Sequence, residues 1–161
     1  MRHTISVLVS NEFGVLSRIA GLFSGRGFNI ESLSVAETLD PKVSRMTIVT
    51  SGDDNVLEQI NKQLNKLINV IKVHDFTGEE MIEREMALIK VTATNENRAE
   101  ILSIVDIFRA KVVDVSPRSY TIEMTGDEEK VRAIVELFRP FGLKEIVRTG
   151  RVAMARSLKQ K

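Results

Sequence analysis

The chain has 161 residues, 43% of them apolar and 28% charged, and a formal net charge of +1. Those values fit a globular protein of one domain or two small ones, and the balanced charge gives no global argument for nucleic acid or an anionic membrane as partner. The chain has no cysteine, which excludes disulfides, thiolate metal sites and a cysteine nucleophile and leaves His3 and His74 as the only imidazoles.

In chain order, residues 3–9 alternate between Ile5, Val7 and Val9 on one side and Ser6 and Leu8 on the other, which predicts a central strand. A polar turn carrying Asn11 and Gly14 follows. Val15, Leu16, Ile19, Ala20, Leu22 and Phe23 then share one helical face, which predicts a helix over 15–24 stopped by Gly25 and Gly27. Residues 29–38 read as a second strand, Leu39-Asp40-Pro41-Lys42 as a turn and 44–51 as a third strand. Gly52-Asp53-Asp54 opens a second helix with Val56, Ile60, Leu64, Leu67 and Ile68 as its buried stripe, and 69–76 is a fourth strand.

The order strand, helix, strand, strand, helix, strand is the split βαββαβ, ferredoxin-like pattern of an α+β domain, with an antiparallel sheet and both helices on one face. Residues 77–85, acidic and carrying Gly78, read as a connector.

The order then starts again. Residues 86–93 are strand-like and 95–109 helical, with Ile101, Leu102, Ile104, Val105 and Phe108 apolar. Residues 111–115 and 119–125 read as two strands. Thr125 and Glu128 have capping-box spacing ahead of a helix striped by Val131, Ile134, Val135 and Phe138. Pro140 and Gly142 end it, and Ile146-Val147 makes a short last strand. The second half is a degenerate copy of the first without its glycine-containing turn, so two domains are expected, 1–77 and 78–161. From Lys144 onward six basic residues stand against Glu145 alone. They read either as a solvated end or as a docking patch for an acidic partner.

No run approaches the ~20 apolar residues that span a bilayer, and no signal-like start is present, so a cytoplasmic setting is expected. His3 and His74 fall in no ligand motif, the glycines form no dinucleotide or phosphate loop, and Asp53-Asp54 is better explained as a helix start than as an acid/base pair. Nothing supports catalysis by this chain alone. A four-stranded sheet is also a common RNA-binding scaffold. The central strands here offer Ile5, Val7, Met46 and Ile48 where such domains stack bases on aromatics. A small-molecule site fits better. Backbone N–H groups of Gly14 to Leu16 suit a carboxylate, the amide oxygens of Asn11 and Asn29 suit an ammonium, and Val15, Leu16 and Ile30 offer an apolar side pocket.

The run Asn11-Glu-Phe-Gly14-Val-Leu-Ser-Arg18-Ile-Ala-Gly-Leu-Phe-Ser-Gly-Arg26-Gly27-Phe28-Asn29-Ile30-Glu31-Ser32-Leu33 closely resembles the ACT domain of the small, regulatory subunits of acetohydroxyacid synthase (acetolactate synthase). Ser44-Arg45-Met46-Thr47-Ile48, Glu83-Arg84-Glu85 and residues 107–115 extend the resemblance over nearly the whole chain. The resemblance implies an N-terminal ACT domain, a C-terminal ACT-like domain and no cofactor in this chain. Thiamine diphosphate, magnesium and FAD are expected in a separate large catalytic subunit. The small subunit would bind that partner, raise its activity and confer feedback inhibition by valine or another branched-chain amino acid. It further implies a homodimer through the ACT sheet edge. The effector would lie between Asn11, Gly14, Val15 and Leu16 of one chain and Asn29 and Ile30 of the other. The alternatives are an interaction scaffold with a vestigial ligand site and a small catalyst whose site is not visible.

Overall fold

The computed structural model describes residues 1–157. The chain divides into Met1–Ile82 together with the residues from Arg151 on, and Glu83–Gly150.

In the first unit, β1 (Arg2–Ser10) lies between β3 (Val43–Ser51) and β4 (Val70–Asp75), and β2 (Ile30–Glu37) pairs with β3, all antiparallel. Register sets Ile5 against Ile48 and Val7 against Met46. With a side-chain period of two, that pairing puts all four on one face. There they meet Val15, Ile19 and Phe23 of α1 (Val15–Gly25) and Leu57, Ile60 and Leu64 of α2 (Asp54–Asn65). Each of these large side chains contributes about 1.5–3 kcal/mol through burial. The predicted βαββαβ order holds throughout.

The second unit repeats it. β5 (Met81–Thr92), α3 (Arg98–Ile107), β6 (Lys111–Val115), β7 (Ser119–Gly126), α4 (Glu128–Phe138) and β8 (Leu143–Arg148) form a sheet in the order β6-β7-β5-β8. The first sheet runs β2-β3-β1-β4, so each element of one unit has its counterpart in the other. Ala87, Ile89, Val91, Ile101, Ile122 and Phe138 are among the residues of its core.

Four expectations are corrected. β5 begins at Met81, inside the expected connector, where it has β9 as a strand partner, and Glu85 is a buried strand residue ion-paired to Arg148 at 2.5 Å. Helix α4 is capped by Asp127, whose carboxylate accepts from the Lys130 N–H at 2.9 Å, rather than by a Thr125–Glu128 box. Ile68 does not extend the α2 stripe. The helix ends at Asn65 and Ile68 stands in solvent on the following turn. The tail is not a loose end over its described length. Val152–Ala155 forms a strand, β9, and the Arg151 guanidinium donates to the Thr4 hydroxyl at 2.7 Å while its N–H donates to the Ser32 hydroxyl at 2.9 Å. Both bonds are made by Arg151 and tie the start of the tail to Thr4 and Ser32. Lys159 and Lys161 of the basic cluster lie outside the described residues.

Candidate functional site

Helix α1 differs from the other three in having a glycine at its N-cap and no acid in its first turn, and it shares with α3 the lack of a side-chain cap. Its N-cap is Gly14, in the left-handed region at φ 80°, a conformation that costs most side chains. No side chain caps the helix and no acidic residue lies in its first turn. The Val15 N–H reaches the Glu12 carbonyl only at 3.5 Å. The Leu16 and Ser17 N–H groups precede the first intrahelical bond and have no acceptor among the described residues. These amides lie at the positive end of the helix dipole and can donate to an anion.

The turn that carries them is rigidly held. The Asn11 N–H donates to the Lys42 carbonyl at 2.8 Å, and the Ser10 N–H to the Asn69 carbonyl at 2.9 Å. Asn69 also bridges the turn and the helix, accepting from Arg18 Nη1 at 2.6 Å and donating to Glu12 Oε2 at 3.1 Å. The sequence gives no sign of Asn69, because it stands 57 residues from Glu12 along the chain.

The expected site residues divide. The side-chain nitrogen of Asn11 donates to the Pro41 carbonyl at 2.9 Å and to Glu37 Oε1 at 3.2 Å, which leaves its amide oxygen as the acceptor for a cation. Val15 is 3% exposed and its side chain belongs to the core, so only its backbone faces the turn. Leu16 is 45% exposed and available. Asn29 is exposed, and its carbonyl accepts the Thr50 hydroxyl at 2.7 Å. Ile30 is half-buried against the core.

One chain does not bring these residues together. Ile30 pairs with Thr50, which pairs with His3 at the start of β1, whereas Gly14 follows Ser10 at its far end. Seven strand residues at ~3.3 Å each separate the two groups by roughly 20 Å, far beyond the span of a free amino acid.

Neither histidine sits at a reaction centre. His3 is buried, with Nε2 3.0 Å from the Gly52 carbonyl and Nδ1 3.0 Å from the Thr77 hydroxyl. A proton on Nε2 satisfies both bonds, since a carbonyl can only accept. His74 pairs with Glu79 at 2.9 Å. Among the described residues no cluster of His, Asp and Glu is placed to hold a metal. Ile5, Val7, Met46 and Ile48, weighed above as a stacking platform, face the helices. The opposite face presents Thr4, Ser6 and Arg45 and is crossed by the tail, enclosing a cleft of about 260 Å³ lined by Ser6, Leu8, Arg45, His74, Phe76 and Met154.

Comparison with known proteins agrees with both halves of the chain. Residues 5–72 match the family model described as "AHAS small subunit-like ACT domain", and residues 84–157 match "Small subunit of acetolactate synthase". The chain is 58% identical over 160 residues to a probable acetolactate synthase small subunit of Archaeoglobus fulgidus, covering 99% of this chain and 100% of that one. It is 57% identical over 158 residues to the acetolactate synthase small subunit of Aquifex aeolicus, covering 98% and 82%. The crystal structure of the small subunit from Thermotoga maritima superposes with a TM-score of 0.90 at 46% identity, over 98% and 99% of the two chains. With its doubled ACT-type fold, its open turn at Gly14 and relatives matched over nearly their full length, the chain belongs to the family of acetolactate synthase small subunits, the regulatory rather than catalytic component of that enzyme.

Proposed function

We propose that this chain binds the large, thiamine-diphosphate-dependent subunit of acetolactate synthase, raises its activity, and makes it sensitive to valine or another branched-chain amino acid. The observation that carries the effector half of this proposal is the separation of the site residues. Gly14 and Asn29 lie at opposite ends of one sheet, so a ligand of valine's size meets both only where two chains run antiparallel. As the edge strand of its sheet, β2 is the strand suited to pair with a second copy.

In that dimer the ligand carboxylate takes the open amides at the start of α1, and its ammonium takes the amide oxygens of Asn11 and the partner's Asn29. Its aliphatic group meets Leu16 and Ile30. Thiamine diphosphate, magnesium and FAD belong to the large subunit, and the pair works in the cytoplasm. Regulation follows from differential binding. An effector held by both chains favours one arrangement of the dimer, and only its difference in affinity between arrangements moves the equilibrium. A coupling of ~1–3 kcal/mol is typical of such systems.

The test is reconstitution. The chain is co-purified with the large subunit, and acetolactate formation from pyruvate is followed with and without valine, with the chain alone as a blank. Higher activity with the chain present, lost on adding a branched-chain amino acid, is the expected result. Unchanged activity of the large subunit would refute the proposal.

A further inference from the structure

The first unit exposes three large apolar side chains almost completely: Leu39 at 106%, Phe13 at 105% and Ile68 at 98% of the free side chain. Isolated exposed apolar residues are ordinary on a protein surface. These three are not scattered. Phe13 stands on the turn after β1, Leu39 on the turn between β2 and β3, and Ile68 on the turn between α2 and β4.

All three turns meet at the end of the sheet where β1 finishes. Asn11 ties the first turn to the second through its N–H to the Lys42 carbonyl, and Asn69 ties the third to the first through the Ser10 N–H and Glu12. Each tip is also internally braced. The Asp40 carboxylate accepts from the Lys42 N–H at 3.0 Å in the Leu39 turn, and the Val70 N–H closes the Ile68 turn onto the Leu67 carbonyl at 3.1 Å. Folding gains nothing from holding three apolar groups in water on braced turns. Association does, since preformed anchors lose little conformational entropy when they dock.

We infer that Phe13, Leu39 and Ile68 form the docking rim for the large catalytic subunit. This inference rests on the proposed function above. Two features favour that occupant over a second copy of the chain. The rim occupies the loop end of the unit, whereas β2, the edge strand of its sheet, is the side suited to strand pairing between copies. The rim also includes the turn that opens α1, so a ligand bound at Gly14 would lie directly beside the surface that holds the catalytic partner. Charged groups on the same turns, among them Glu12, Asp40 and Lys42, supply the polar surround typical of an apolar interface centre.

The test measures affinity of the full chain for the large subunit, with Phe13→Asp, Leu39→Asp and Ile68→Asp compared with Ile107→Asp, an exposed apolar position of the second unit. The corresponding serine variants serve as a charge-free second set, and thermal midpoints confirm folding. Each rim variant is expected to bind at least about tenfold more weakly, with Ile107→Asp unchanged. Unchanged binding at all three rim positions would overturn the inference. So would equal weakening by Ile107→Asp, or loss of self-association with affinity for the large subunit intact. Failure of the unaltered chain to bind at all would bring down the proposed function, and this inference with it.

Discussion

The turn before α1 and the turn before α3 occupy the same place in two copies of one topology. They differ in what fills them. Ahead of α3, the Thr94 N–H donates to the Asn97 side-chain oxygen at 2.7 Å and the Asn97 N–H to the Thr94 hydroxyl at 3.3 Å, so the turn closes on itself, and Glu100 supplies a carboxylate in the first helical turn. Helices α2 and α4 are likewise served by their own acids, Asp53 and Asp127 as caps, with Asp54, Glu128 and Glu129 following. At α1 none of these groups is present. Neither α1 nor α3 has a side-chain cap, so what the duplicated fold has changed is the approach: a braced Thr94–Asn97 turn and a first-turn carboxylate at α3, a left-handed glycine and no acid at α1. The missing cap, worth ~1 kcal/mol, is common to α1 and α3, and only α1 also lacks a first-turn acid that would compete with an incoming carboxylate.

Gly14→Asp breaks this contrast most severely. It puts a carboxylate beside the amides that would hold the effector's own, and should abolish inhibition of the reconstituted enzyme by branched-chain amino acids. An aspartate at φ 80° also bears some backbone strain, so Gly14→Asn, which tolerates that conformation without the charge, is the control. Next in size, Asn29→Trp fills the other half of the site. It should raise the inhibitory valine concentration by about tenfold or more while leaving activation of the large subunit in place.

Smaller again is Asn97→Ala, which opens the closed turn of the second unit. It should lower stability by about 1 kcal/mol, read as a drop in the thermal midpoint, with valine inhibition unaltered. A change in inhibition there would show that the two turns are not as separate in role as their hydrogen bonds suggest. The smallest effect is expected on the solvent face of α4. Glu136 is held below the usual carboxylate range by its hydrogen bond to Arg139 and by that residue's charge. A depressed carboxyl stabilises only above its unfolded value and loses that contribution as pH falls through the folded one. The pair lies on the surface, so Glu136→Gln should leave the thermal midpoint at neutral pH unchanged, and any difference from wild type should shrink further in acid.

Much of the fold was legible because it rests on local periodicity. The alternation of Ile5, Val7 and Val9 and the helical spacing of Val15, Ile19 and Phe23 correspond directly to the core. What was not legible depends on distant partners. Glu83 and Glu85 look like connector residues until Arg148, 63 positions away from Glu85, is seen paired with it. The segment 152–155 carries little strand signal of its own, and it becomes a strand by pairing with β5, while Arg151 beside it reaches Thr4 across 147 residues.

At the site, the amide opening could be read from Asn11 and Gly14. An apolar residue at the start of a helix, however, serves core and pocket equally well on paper. Only the geometry assigns the Val15 side chain to the core and leaves Leu16 exposed. The opposite-end placement of Asn29 also needed the strand register, since in the sequence it lies only fifteen positions beyond Gly14.

The most direct measurement is a calorimetric titration of L-valine into the purified chain, with Gly14→Asp titrated alongside and the wild type repeated at a dilution that separates the dimer. A site built from two chains around the Gly14 amides predicts saturable heat for the wild type, weaker apparent binding on dilution, and none for the variant. Equal heat from both proteins, or binding indifferent to dilution, would contradict it.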